Sequence, residues 1–171
     1  MNAERLNHYL ALLPRDTKEA AALAEHHDRR LAGCAWTRIN RKRALRHAIE
    51  IRHKSFLDPA FIALLRRHNV ALVFADSVEW PYAEDVTADF VYLRLHGSEE
   101  LYASGYSNEA LDHWAARVKS WANGLQPNDA RLAEPDLLPA QRSARAVFVY
   151  FDNDAKVRAP FDARALRAKL S

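Results

Sequence analysis

The sequence predicts an α/β fold: four parallel strands with flanking helices and a two-helix lead-in. From residue 45 onward, strand-like and helix-like segments alternate four times, and two helical patterns precede them. Each strand pattern also ends in ionisable or hydrogen-bonding side chains. Repeated strand-helix alternation implies parallel pairing through right-handed crossovers. Residues distant in sequence then converge where the carboxyl ends of the strands share one rim.

In the lead-in, "AERLNHYLALLP" puts Leu6, Tyr9, Leu10 and Leu13 on one helical face, and Pro14 stops it. "RDTKEAAALAEHHDRRLAG" restarts a helix with Asp16 as N-cap and Glu19 three residues on, predicted to end near Gly33. The first strand is predicted at 45–53, "LRHAIEIRH", followed by Asp58 as N-cap and Pro59 at the first helical position of "AFIALLRRH". The second is the short apolar run 70–77, "VALVFADS", which leads into the loop "VEWPYAEDVT".

The third strand, 90–96, precedes a helix starting near Ser107 or Asn108. That helix lines up Leu111, Trp114, Ala115, Val118, Trp121 and Leu125, so its tryptophans read as core. "QPNDARLAEPDLLPAQRSA" reads as a proline-punctuated surface excursion. The fourth strand, 146–154, is followed by the helix "PFDARALRAKL".

The composition is that of a soluble globular domain, 49% apolar and 27% charged, with no apolar run near the ~20 residues needed to span a bilayer. With no signal-peptide pattern at the amino terminus, a cytoplasmic location and no membrane partner are the expectation. The single cysteine, Cys34, rules out an intrachain disulfide and reads as structural. The net charge of +3 is unevenly spread. Residues 1–54 hold 12 Lys and Arg against 6 Asp and Glu, whereas residues 75–137 hold 4 against 12. Nucleic acid is therefore a candidate partner, although no zinc-finger or RNA-binding motif supports it.

Alternation along the strands assigns Glu50, Arg52, Phe74, Asp76, Tyr92, Arg94, His96, Phe148, Tyr150 and Asp152 to an inward face. Ile49, Ile51, Val73, Val91, Leu93, Val147 and Val149 are assigned to the helices. The rim groups are Glu50, Arg52 and His53; Asp76 and Ser77; Arg94 and His96; and Asp152, Asn153 and Asp154. Arg52 and Arg94 offer planar forks for a carboxylate or phosphate, and thus for a small anionic molecule. His96 is the candidate general acid or base, with Asp76 or Asp152 orienting it. Glu50, His53, Ser77, Trp80 and Asn153 complete the candidate binding set, with Trp80 over the rim as a lid or stacking platform. Asp76, His96, Asp152 and Asp154 could serve a divalent metal, but no local metal spacing is present. No glycine-rich phosphate motif occurs, so no nucleotide cofactor is expected. A purely structural network remains open, since interior Arg and Glu on neighbouring strands can satisfy one another.

The stretches "LALLPRDTKEAAALAEHHDRRL", "EIRHKSF", "HNVALVFADS", "WP", "TADFVYLRLHG", "YSNEALDHWAARVKSWA" and "VYFDNDAKVRAPFDARAL" run in the order found in the family called domain of unknown function 72, or YecE-like proteins. The chain resembles that family over nearly its whole length. The resemblance implies a TIM-like (β/α) barrel whose members have no established activity. It also implies that Glu50, Arg52, His53, Asp76, Ser77, Arg94, His96, Gly97, Asp152, Asn153 and Asp154 occupy recurring pocket positions. Members usually start with a glycine-, serine- and tryptophan-rich segment and the early barrel strands, which this chain lacks. Residues 125–144 also look longer than the usual connection.

A full barrel takes about 250 residues, so the fold expected here is a partial TIM-like barrel, the carboxyl-terminal half, as a single domain. Two unpaired edges then imply self-association or a separately encoded first half. The leading functional expectation is a hydrolase or isomerase-type pocket for an anionic substrate. The alternatives are a truncated, non-catalytic remnant or interaction module, and a nucleic-acid-processing protein with Trp80 and Tyr82 stacking on bases.

Overall fold

The computed structural model describes residues 1–97, 105–137, 144–155 and 157–171. The chain divides into two compact units, residues 2–47 and 48–171.

In the first unit, α1 (Ala3–Leu12) is capped by the Asn2 side chain, which accepts from the Arg5 amide at 2.9 Å. α2 (Thr17–Ala24) starts on Asp16, whose carboxylate accepts from the amides of Lys18 and Glu19. Glu19 reaches back to the Arg15 amide at 2.6 Å. The cap expected from the sequence therefore forms, but α2 ends at Ala24, well short of Gly33. The reason is Asp28, whose side chain accepts from the Arg30 amide and starts a separate 3₁₀ turn, Arg29–Leu31. Such local side-chain bonds compete with helix continuation. Residues 41–45 return to pair with residues 15–17 through an antiparallel bridge between Asp16 and Ala44. Cys34 lies exposed on this unit.

The second unit carries the sheet, with β1 (Ala48–Ile49), β2 (Ala71–Asp76), β3 (Phe90–Leu95) and β4 (Ala146–Phe151) in the order β1-β2-β3-β4, all parallel. Its helices are α3 (Pro59–His68), α4 (Asn108–Ala122) and α5 (Ala159–Leu170). The fold is thus α/β, four parallel strands with flanking helices. β1 is much shorter than the 45–53 strand pattern. Leu45 donates instead to the Arg15 carbonyl and His47 bonds the Pro14 carbonyl, both within the first unit.

The core lies between the helices and one face of the sheet. Phe61, Ile62 and Leu65 of α3 and Trp121 of α4 are fully buried, and Trp121 meets Phe74 at 5.1 Å between ring centroids. The predicted stripe on α4 is buried from Leu111 to Trp121, but Leu125 lies beyond the helix end and is exposed. No described helix is long and apolar enough to cross a membrane.

The register fixes which side chains share a face. Tyr92 pairs with Phe148 and Arg94 with Tyr150, placing all four on the face away from the helices, as expected. Strand β2 is different. Val73 pairs with Tyr92, Phe74 with Leu93 and Asp76 with Leu95, so Phe74 and Asp76 belong to the helix side. Val73 and Ala75 take the inner face, which reverses the assignment made from sequence. β2 is apolar on both faces, so alternation carries no information about its direction.

Candidate functional site

The inner-face site is built on strand ends. Glu50 follows β1, Arg94 lies in β3, His96 follows β3 and Asp152 follows β4. The Arg94 guanidinium forks between two carboxylates, donating from Nη1 to Glu50 Oε2 at 2.7 Å and from Nη2 to Asp152 Oδ2. His96 is completely buried beside the same pair, with Nε2 3.4 Å from Glu50 Oε2 and Nδ1 3.1 Å from Asp152 Oδ2. Its position is fixed by the backbone, since the His96 amide donates to the Asp76 carbonyl and the Asp152 amide to the Leu95 carbonyl.

Arg52 donates to Glu50 Oε1 at 3.0 Å and lies over the Trp80 ring, 3.9 Å from its centroid. Trp80 in turn meets His96 edge-on, with centroids 4.8 Å apart. The indole therefore bridges a cation and an imidazole at the edge of the site. Beyond Arg94 the same face continues as an aromatic strip, Tyr92 stacked on Tyr150 at 5.0 Å and tilted toward Phe148.

Burial pushes the Glu50 carboxyl up, but the Arg52 hydrogen bond and the Arg94 charge outweigh it and leave the group below its ordinary range. Burial and the Arg94 charge both push the His96 imidazole below its ordinary value, against the pull of Glu50 and Asp152. The site accordingly holds two carboxylates, two guanidinium groups and a neutral imidazole.

The remaining candidates lie elsewhere. Asp76 accepts from the Tyr106 hydroxyl at 2.8 Å on the helix side, and Tyr106 also takes the Gly97 amide. Burial and the nearby Asp76 charge hold that phenol well above its ordinary range. Asn153 is fully buried and donates to Asp162 of α5 at 2.8 Å, so it fastens the β4–α5 turn. The Ser77 hydroxyl caps the Glu79 amide, and the His53 ring caps a 3₁₀ turn at Ser55. Asp154 is exposed.

Of the four candidate metal ligands, Asp76 is on the far side of the sheet from His96 and Asp152. The two carboxylates nearest His96 face different ring nitrogens, with Arg94 between them. No group of three or more His, Cys, Asp or Glu side chains among the described residues is arranged to hold a metal ion.

Sequence reasoning missed a second buried network. Glu84, in the loop before β3, is fully buried and accepts from the Tyr82 hydroxyl at 2.6 Å, from Arg117 of α4 at 3.1 Å and from the Arg131 amide at 3.0 Å. Arg117 also reaches Asp129 and His113. Asp85, equally buried, accepts from the amides of Ala133 and Glu134. With Asp76 and Tyr106, several of these groups line a cleft of about 470 Å³ on the helix side. The adjacent acids in the apolar context "YAEDVTADFV" were the available signal.

A family profile, "Protein of unknown function DUF72", matches residues 1–171. The chain belongs to the DUF72 family. Among solved structures, a DUF72 protein from Thermotoga maritima superposes with a TM-score of 0.54 at 25% identity, over 73% of this chain and 45% of that one. A DUF72 protein from Enterococcus faecalis gives 0.55 at 18% identity, over 74% and 47%. The chain thus spans slightly less than half the length of the solved DUF72 structures it matches, and its sheet corresponds to part of a TIM-like barrel. No curated protein matches it.

Proposed function

We propose that the inner-face cluster is a general acid-base pocket of hydrolase or isomerase type for a small substrate carrying an anionic group. The observation that carries this reading is His96, a buried imidazole kept neutral between two carboxylates. A neutral imidazole can take a proton, and Glu50 and Asp152 stand ready to stabilise the imidazolium that results. Arg94 is committed to both carboxylates and acts as a positioning residue. Arg52, with 57% of its side chain exposed and a single carboxylate partner among the described residues, is the group available to an anion. Trp80, packed on both Arg52 and His96, shields the imidazole from water.

The test uses inorganic sulfate as the anion. It should raise the melting temperature of the native chain by mass action and leave that of Arg52→Ala unchanged. An undiminished rise in a folded Arg52→Ala variant would remove Arg52 as the anion site. The complete pairing of Arg94 also supports a second reading, in which the cluster is a structural network in a non-catalytic interaction module. Absence of any sulfate effect on the native chain would favour that alternative.

A further inference from the structure

We infer that residues 29–46 form a binding site for single-stranded nucleic acid, separate from the inner-face cluster and contained within the first unit. This segment holds Arg29, Arg30, Arg38, Arg41, Lys42, Arg43 and Arg46, with no acidic residue. Residues 2–47 as a whole carry ten Lys and Arg against five Asp and Glu, a formal +5. Clustered cations of this kind are the electrostatic footprint of polyanion binding.

Charge alone would be a weak warrant, and the geometry supplies the rest. Trp36 is 83% exposed, more than any other large apolar side chain among the described residues, so packing gives no account of it. It lines a cleft of about 430 Å³ together with Thr17, Arg38, Ile39, Asn40, Arg41 and Arg43. The cleft wall is held in place by its backbone. Cys34 and Ala35 donate to the Leu31 carbonyl, Thr17 Oγ1 bonds both the Arg41 carbonyl and the Arg43 amide, and Leu45 donates to the Arg15 carbonyl. Lys42 is taken by Asp16 at 2.9 Å. Arg38, Arg41 and Arg43 have no carboxylate partner among the described residues, so their forks are available to phosphates.

An exposed indole beside unpaired guanidinium groups is the combination that binds a single strand, with bases stacking on the ring and cations following the backbone. The predominance of arginine over lysine and the presence of only one large aromatic in the cleft favour this occupant over a lipid surface.

The experiment is fluorescence anisotropy of a labelled single-stranded oligothymidylate of about 20 nucleotides, titrated with the full chain over a salt series. We expect a log-log salt slope near −2 from three phosphate contacts. Trp36→Ala should weaken binding roughly five- to 150-fold, the range for losing one stacked base. The Arg38→Gln, Arg41→Gln, Arg43→Gln triple variant should flatten the slope. Trp80→Phe should bind like the native chain. Trp36, Arg38, Arg41 and Arg43 are exposed and Trp80 is part-buried, and circular dichroism of each variant serves as the check that it folds. The inference is overturned by absence of oligonucleotide binding, by binding that Trp36→Ala or the triple arginine variant leaves intact, or by displacement of the oligonucleotide by phosphatidylserine vesicles that bind the same residues more tightly.

Discussion

Replacing His96 with glutamine isolates the titration of the buried imidazole. Its folded-state pKa lies below the ordinary value of 6.5, because burial and Arg94 disfavour the charged form. The unfolded chain therefore takes up a proton at a pH where the folded chain does not, and the stability contributed by the neutral ring is lost as pH falls below 6.5. For each pH unit by which the fold depresses the imidazole, the loss on acidification amounts to about 1.4 kcal/mol. With a urea slope of about 2 kcal/mol/M, the transition midpoint of the native chain should move down on acidification more than that of His96→Gln, by roughly 0.7 M for each such pH unit. Comparing the two proteins at each pH cancels the other histidines, which both retain. Parallel pH profiles would refute the reasoning, as would a native chain that gains stability relative to the variant on acidification. A second decline, shared by both proteins, is expected as pH falls below 4.5, where the unfolded chain protonates Glu50 while the fold holds that carboxyl ionised.

Other outcomes follow from the same geometry. Glu84→Ala should cost about 3–5 kcal/mol in a urea melt by leaving Arg117 and Tyr82 without their buried acceptor, and a cost below about 0.5 kcal/mol would contradict the network. Arg94→Met should destabilise by about 1–3 kcal/mol, because it strips two carboxylates of a shared donor. Arg52→Met should cost less than Arg94→Met, because the Arg52 guanidinium is more than half exposed and the largely buried Glu50 keeps its bond from Arg94, so the reverse order would overturn the assignment of roles. Tyr150 and Phe148 are 51% and 36% exposed on the edge strand β4, so light scattering over a tenfold concentration range should show mass rising with concentration. A monodisperse monomer with a concentration-independent cooperative melt would show that this half barrel closes its own core.

The strand-helix order was readable because hydrophobic period and caps agree along most of the chain, as at Asp58–Pro59 and Ser107. The inner faces of β3 and β4 were readable because Tyr92, Arg94 and His96 alternate with leucines and valine. Only strands with two chemically different faces announce their direction. β2, buried on both faces, misplaced Asp76 for that reason, and no local pattern shows that the Tyr106 hydroxyl waits on the helix side. The length of β1 depended on Leu45 and His47 being claimed by Arg15 and Pro14, which is a matter of tertiary pairing. Arg117 escaped notice because a charged residue beside the Leu111–Trp121 stripe reads as solvated. Its burial depends on carboxylates from two loops.

The hold of Glu84 and Asp85 on the segment after α4 has a consequence for what that segment is free to become. Their carboxylates take the amides of Arg131, Ala133 and Glu134, and the Glu84 amide returns a bond to the Arg131 carbonyl. Every one of these bonds addresses main chain, so the grip is blind to the letters it holds. Information about where this loop lies is stored some fifty positions upstream, in two acids. The loop itself can drift in sequence as long as those amides survive, and proline, which has no N–H to offer, is the residue that positions 131, 133 and 134 cannot accept.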